Sequence, residues 1–152
     1  MNVNETLQGQ VQQWITWYGD GIDGTCPTAE QWSNVLGRPA DQPLLLVNRF
    51  RFREQAKYPP AAQHTPCSGR EAFQRYAQVS MPTLERVGGR FLHVGPFAGG
   101  FISDASEWDL AVVASYPDLA SLVALYSDAG YRQAYVHRVA ACAQQQTWVC
   151  DG

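Results

Sequence analysis

The chain has 152 residues, a length that suits one domain with a full core and is too short for two ordinary domains. Apolar residues make up 45% of the chain and the formal net charge is -3 without a basic stripe, so we expect a packed globular protein and no nucleic-acid partner. No apolar run approaches the roughly 20 residues that cross a bilayer, and residues 1–5 lack the start of a secretory signal, so we expect no membrane partner and a cytoplasmic location.

Two short helices are predicted at the N-terminus. Apolar residues at steps of three and four over residues 6–18 predict the first helix. Thr28 and Gln31 form a capping box that opens the second helix, which ends at about Leu36. Since isolated amphipathic helices of this length are marginal in water, residues 1–42 are expected to be a helical extension that packs on the following domain or on a partner subunit.

Residues 43–152 alternate between strands and helices. Strands are predicted at 44–52, 90–94, 108–116 and 143–150, a hairpin connection at 97–106, and helices at 69–87 and 118–138, the second helix broken near Ser127. The order strand, helix, strand, strand, helix, strand is the split βαβ pattern, so the predicted fold is α+β, a ferredoxin-like βαββαβ protomer. The strands look apolar on both faces, whereas the helices can cover only one. A homodimer is therefore expected, with the second copy on the sheet.

A series of short motifs runs through this domain. In chain order they are Val47-Asn48-Arg49-Phe50, Ser68-Gly69-Arg70-Glu71-Ala72, Tyr76, Gly88-Gly89-Arg90, Trp108-Asp109, Tyr116-Pro117, Tyr131 and His137-Arg138-Val139-Ala140. In order and spacing, residues 44–152 resemble an uncharacterised bacterial family, a domain of unknown function in the dimeric α+β barrel superfamily. The resemblance implies a ferredoxin-like protomer whose sheet packs against a second copy, and it brings no catalytic residue set with it. Superfamily relatives include cofactor-independent monooxygenases and haem-degrading enzymes, so function from fold alone is an analogy.

Several polar residues in the predicted core are candidates for a small-molecule site. An amide at Asn48, in an apolar strand, needs hydrogen-bond partners in a ligand or in a neighbouring loop. Arg138 stands at a helix end, where its guanidinium could bind a ligand carboxylate or pair internally with Asp109. The candidates for proton transfer are His137, Tyr131 and His93, and those for ligand binding are Asn48, Arg51, Tyr76, Asp109 and Arg138.

Each candidate has a structural alternative. Cations are favoured at helix C-termini whether or not they bind anything, and a lone histidine on a strand is more often packed than catalytic. The three histidines are scattered in the sequence, so no metal site is expected, and no cofactor is expected. The four cysteines lack metal spacing and are expected to be free thiols, with Cys67, before a helix N-terminus, as the one candidate for reactivity.

Two functions remain open from the sequence. The first is a cofactor-independent enzyme that acts on a small anionic or aromatic organic molecule in a cleft between sheet and helices. The second is a non-catalytic homodimer, either binding a small molecule or purely structural. A cleft filled by side chains, with Arg138 paired to Asp109, would favour the second function.

Overall fold

One four-stranded antiparallel sheet carries the helices on one of its faces. The computed structural model describes residues 3–103 and 107–152. In it the helices are α1 (Val3–Tyr18), α2 (Ala29–Leu36), α3 (Gly69–Arg86), α4 (Leu119–Ser127) and α5 (Ala129–Ala141), and the strands are β1 (Leu44–Phe52), β2 (Arg90–Pro96), β3 (Leu110–Tyr116) and β4 (Cys142–Asp151). The strand order is β2-β3-β1-β4. The predicted α+β class is confirmed.

Side-chain caps set the helix boundaries that the sequence predicted. Thr28 caps α2 and Ser68 caps α3, each in a complete capping box with the residue three positions on. The break between α4 and α5 lies at Asp128, whose extended backbone ends α4 and whose carboxylate accepts the N–H of Tyr131 at 2.8 Å. The expected break near Ser127 is therefore explained by one cap.

The two faces of the sheet differ in burial. In β1, the helix-facing residues Leu44, Leu46, Asn48 and Phe50 are buried, while the alternate residues are half-buried or exposed. β3 shows the same alternation. We name the second face the open face, because no element of residues 3–103 or 107–152 forms a layer over it. The strands are thus fully buried on one side only.

The N-terminal helices pack on α4 through an aromatic cluster. Trp14 is 2% exposed, and its ring centroid lies 4.3 Å from that of Trp32 and 5.5 Å from that of Tyr126. The Tyr18 hydroxyl donates to the Tyr126 carbonyl at 2.6 Å. Of the two positions expected for these helices, the one against the same chain's domain is thus found.

The strand ends differ slightly from expectation. β2 extends to Pro96, and β3 begins at Leu110 rather than at residue 108. In the expected 97–106 connection, residues 97–103 contain no strand, and residues 104–106 lie outside the described part of the chain. β4 lies at one edge of the sheet. Within the described ranges, none of the helices is long and apolar enough to span a membrane.

Candidate functional site

A cavity of about 190 Å³, here named the inner cavity, lies between the sheet and the helices. Its walls come from the helix-facing residues of β1, β2 and β3 and from α3, α4 and α5, and most of them are apolar. The polar side chains of the lining are Asn48, Gln74, Tyr76, Ser80, Tyr116, Tyr126, Tyr131 and Arg138. An engineered cavity of about 150 Å³ in another protein holds benzene, so this volume suits a small organic molecule with one ring.

Arg138 is the only charged residue among the lining residues described. It is 6% exposed. Its Nε donates to Gln145 Oε1 at 2.8 Å and its Nη1 donates to the Tyr76 hydroxyl at 3.2 Å. The guanidinium carbon lies 4.9 Å from the ring centroid of Phe50 and 5.4 Å from that of Tyr135. Its surroundings are therefore aromatic rings and neutral acceptors.

No carboxylate balances this charge in residues 3–103 and 107–152. The ion pairs of these ranges do not include Arg138, and Nη2 has no hydrogen-bond acceptor there. Of the two alternatives that the sequence left open for Arg138, the internal pair with Asp109 is not formed. Asp109 instead accepts the backbone N–H of Phe52 at 2.7 Å and lies 3.8 Å from Arg70. It closes the end of β1, whereas Arg138 lies over the ring of Phe50.

Tyrosines around Arg138 do not neutralise it. The hydroxyls of Tyr76 and Tyr131 lie 2.7 Å apart, so Arg138, Tyr76 and Tyr131 form a hydrogen-bonded chain. Burial raises the pKa of Tyr131 and of Tyr135 well above the usual range of a phenol. These phenols stay protonated at neutral pH. Arg138 thus keeps a buried and unbalanced positive charge.

Asn48 lines the same cavity, but its amide is used by the sheet. Its Nδ2 donates to the carbonyls of Leu46 and Val112 at 3.3 and 3.2 Å, and its Oδ1 accepts the Thr147 hydroxyl at 2.8 Å. Of the two roles that the sequence left open, the structural one accounts for every polar atom of this side chain.

Three other candidates lie away from the inner cavity. Arg51 is exposed on the open face of β1, and His93 is exposed on the edge strand β2. Asp109 is half-buried at the strand end described above. Tyr76, Tyr131, Asn48 and Arg138 are therefore the candidates that the fold brings together.

His137 belongs to a separate group near the surface, which the sequence did not predict. Its Nδ1 lies 2.7 Å from the Tyr58 hydroxyl, and its ring centroid lies 4.8 Å from that of His64. Arg75 Nη1 donates to the same hydroxyl at 3.1 Å. We name Tyr58, His64, Arg75 and His137 the outer cluster. The residues come from α3, α5 and the loop before α3, and no sequence spacing connects them.

A larger and more open cleft of about 910 Å³ lies between β4 and the segment around α2. Leu46, Tyr126 and Arg138 line both this cleft and the inner cavity, so the two spaces meet at Arg138. Gln145 stands at this junction, because its Oε1 accepts from Arg138 while its Nε2 donates to the Thr25 carbonyl at 3.4 Å. The N-terminal segment thus forms part of the route to Arg138.

The described residues contain no group of three or more His, Cys, Asp or Glu side chains that could hold a metal ion. The four cysteines are free, as expected. Burial raises the pKa of the Cys142 thiol to about 11 and also raises that of Cys26. Neither of these two thiols is activated.

Comparison with known proteins gives a family and a fold, without an activity. Residues 62–152, more than half of the chain, match the family described as a domain of unknown function, DUF1330. Two crystal structures are similar: that of methylated RPA0582 protein, and that of RPA0582, a protein of unknown function from Rhodopseudomonas palustris that was a structural genomics target. Each is 29% identical, covers 84% of this chain and 93% or 95% of its own, and superposes with a TM-score of 0.76. No curated protein matches the chain at a significant level.

Proposed function

The chain belongs to the DUF1330 family, and from that premise we propose that it is a homodimer that binds a small organic acid in the inner cavity. The acid group would contact Arg138 and the organic part would contact the apolar walls. This is a binding function rather than acid–base catalysis. The two parts of the proposal, the ligand and the dimer, rest on separate features.

The proposal of a ligand rests on the buried charge of Arg138. A buried charge is costly unless it is paired, and the described residues give this one only neutral partners. A carboxylate is the natural complement, because the planar guanidinium can bind its two oxygens together. The unpartnered Nη2 and the second hydrogen of Nη1 remain for such a contact. A bound acid would therefore balance the charge.

The cavity walls indicate the chemistry of the organic part of the ligand. Aromatic and aliphatic side chains dominate, with Phe50, Phe73 and Phe91 among them. Flat rings pack well in such surroundings. A small aromatic or unsaturated acid therefore fits better than a polar one such as a sugar acid.

The lining also argues against proton transfer near neutral pH. It contains no His, Cys, Asp, Glu or Lys among the described residues, and the buried phenol of Tyr131 holds its proton. His137 lies in the outer cluster, away from this lining. A general acid or base needs a pKa near the working pH, so binding is the better-supported function.

The open face supports the dimer. The strand order β2-β3-β1-β4 with helices on one side is the arrangement of a ferredoxin-like protomer, which we propose for this chain. On the open face, Val47, Val113 and Ala111 are only half-buried, and Trp148 is 51% exposed. Val47 pairs with Val113 on one side and with Trp148 on the other, so these apolar side chains adjoin, which favours an interface. We propose that a second copy covers it, forming a dimeric α+β barrel.

Thermal melting with matched acids and amides tests the ligand. Benzoate and cinnamate should raise the Tm of the wild-type protein, whereas benzamide and cinnamamide, which have the same shape without charge, should not. In Arg138→Lys the shift should disappear while the Tm without ligand stays close to wild type, because lysine keeps the charge and loses the planar fork.

The matched control is Gln78→Ala, because Gln78 is exposed on α3 and does not line the inner cavity. Its acid-dependent shift should remain. Equal shifts for an acid and its amide, or a full shift in Arg138→Lys, would contradict the proposal.

A further inference from the structure

We propose that the outer cluster is a second binding site, which takes a small oxyanion of the phosphate type. Its four side chains come from the loop before α3, from α3 and from α5. None of them lines the inner cavity, so this proposed site can be tested separately from the organic-acid site.

Arg75 supplies the fixed positive charge. Its Nη1 and Nη2 donate to the Thr65 carbonyl at 3.2 Å, and Nη1 also donates to Tyr58. These acceptors are neutral, and no carboxylate of the described ranges lies within ion-pair distance of Arg75. The contacts hold the guanidinium in place and leave Nε and one Nη2 hydrogen unused. A fixed cation with unused donors is suited to an oxyanion.

The Tyr58 contact orients His137. Because Arg75 donates to the Tyr58 oxygen, the phenol proton is available for Nδ1 of a neutral His137. Nε2 of His137 then carries the ring proton. It has no acceptor among the described residues, so it is a second donor of the cluster. His64 adds a third donor, since neither of its ring nitrogens has a hydrogen-bond partner among the described residues.

The rings lie close enough to act on one ligand. The His64 ring centroid lies 4.5 Å from that of Tyr58 and 4.8 Å from that of His137. His64 is exposed, and Arg75 and His137 are half-buried, so an anion can reach the cluster from solvent. Two imidazoles beside one guanidinium can give up to three positive charges. Each protonation would strengthen the binding of a dianion, and a dianion would favour each protonation.

The surrounding charges do not cancel the cluster. The loop of residues 53–68 holds two cations and one carboxylate, Glu54. On α3, the nearby carboxylate of Glu71 accepts the backbone N–H of Ser68 at 3.2 Å in the capping box, which turns it to the helix N-terminus. On α5, the next cation is Arg138, which faces the inner cavity. The local balance is therefore positive in a chain whose net charge is -3.

NMR titration of the histidine ring protons tests the site. Inorganic phosphate, compared with chloride at equal ionic strength, should raise the pKa of His137 by about one pH unit, since an anion at hydrogen-bond distance stabilises the imidazolium. The ring protons of His93, exposed on β2, should not respond to phosphate. Glycerol phosphate in place of inorganic phosphate asks whether a phosphate ester binds as well as the free ion. Binding of either one supports the site.

Two variants complete the test. Arg75→Gln should lose the phosphate-dependent shift, and His64→Gln, which leaves the Tyr58–His137 and Arg75 contacts in place, should reduce it. Arg138→Lys should keep the full shift, which separates this site from the organic-acid site. An equal response of His93 and His137, or an undiminished shift in both Arg75→Gln and His64→Gln, would overturn the proposal.

Discussion

At the scale of single residues, Arg138 is unusual because its burial costs free energy that no carboxylate in the described residues returns. Its removal would free only two neutral partners. Tyr76 would keep its contact with Tyr131, and half-buried Gln145 could bind water. Stability therefore favours an uncharged residue at this position, whereas binding of an organic acid requires the charge of Arg138. We expect that the charge is kept because it binds a ligand.

Arg138→Met measures this conflict. The free energy of unfolding in urea should stay at the wild-type value or rise by up to about 2 kcal/mol, since apolar replacement of a poorly paired buried charge is often stabilising. Binding of organic acids should be lost. Arg86→Met is the control, because Arg86 forms a surface ion pair with Asp128 and should change stability by less than about 1 kcal/mol. A loss of more than about 2 kcal/mol in Arg138→Met would mean that its contacts are structural.

The sequence predicted individual side-chain contacts least completely. It selected Tyr76, Tyr131 and Arg138, which do share a cavity, because polar groups in apolar helices and at helix ends stand out. It missed the contact between His64 and His137, since a contact between a loop and a helix 73 positions later leaves no periodic signal. It left open whether Arg138 pairs with Asp109 or with a ligand, because the sequence does not give the distance between a helix end and a strand end.

At the scale of elements, the sequence was far more informative. The capping box at Thr28 located the start of α2, and the strand pattern located β1 without error at either end. Local hydrogen bonds decide these features, so local sequence records them. The packing of α1 was left open because a buried stripe does not specify its partner. Trp14 and Tyr126 make that contact from distant parts of the chain.

Trp14→Ala tests whether the N-terminal helices and the domain fold together. The substitution should lower the free energy of unfolding by about 3–5 kcal/mol, because it leaves a large cavity among aromatic rings. Trp17→Ala, at a half-buried site on the same helix, should cost clearly less. Urea unfolding followed by far-ultraviolet circular dichroism and by tryptophan fluorescence should give one shared transition. Two separate transitions would show that residues 1–42 form an independent unit.

At the scale of the whole molecule, the proposed dimer is expected to depend on the open face. Val113→Lys places a charge at the half-buried centre of that face, where burial in an interface would be costly. Light scattering after size exclusion should give twice the chain mass of 16.9 kDa for the wild type and a lower mass for Val113→Lys. Gln78→Lys, exposed on α3, is the control and should remain a dimer. A wild-type monomer at micromolar concentration would rule out the dimer.

Two pairs of consecutive residues place a shared constraint on both proposed sites. On α3, Arg75 faces the outer cluster and Tyr76 the inner cavity; on α5, His137 and Arg138 divide in the same way. One step along an α-helix turns a side chain by about 100°. The insertion of a single residue in α5 ahead of His137 would turn both side chains away from their partners, although every original residue would still be present. The rotation of α5 about its axis, relative to α3, therefore sets the geometry of both sites. A change in that rotation would disturb both sites together.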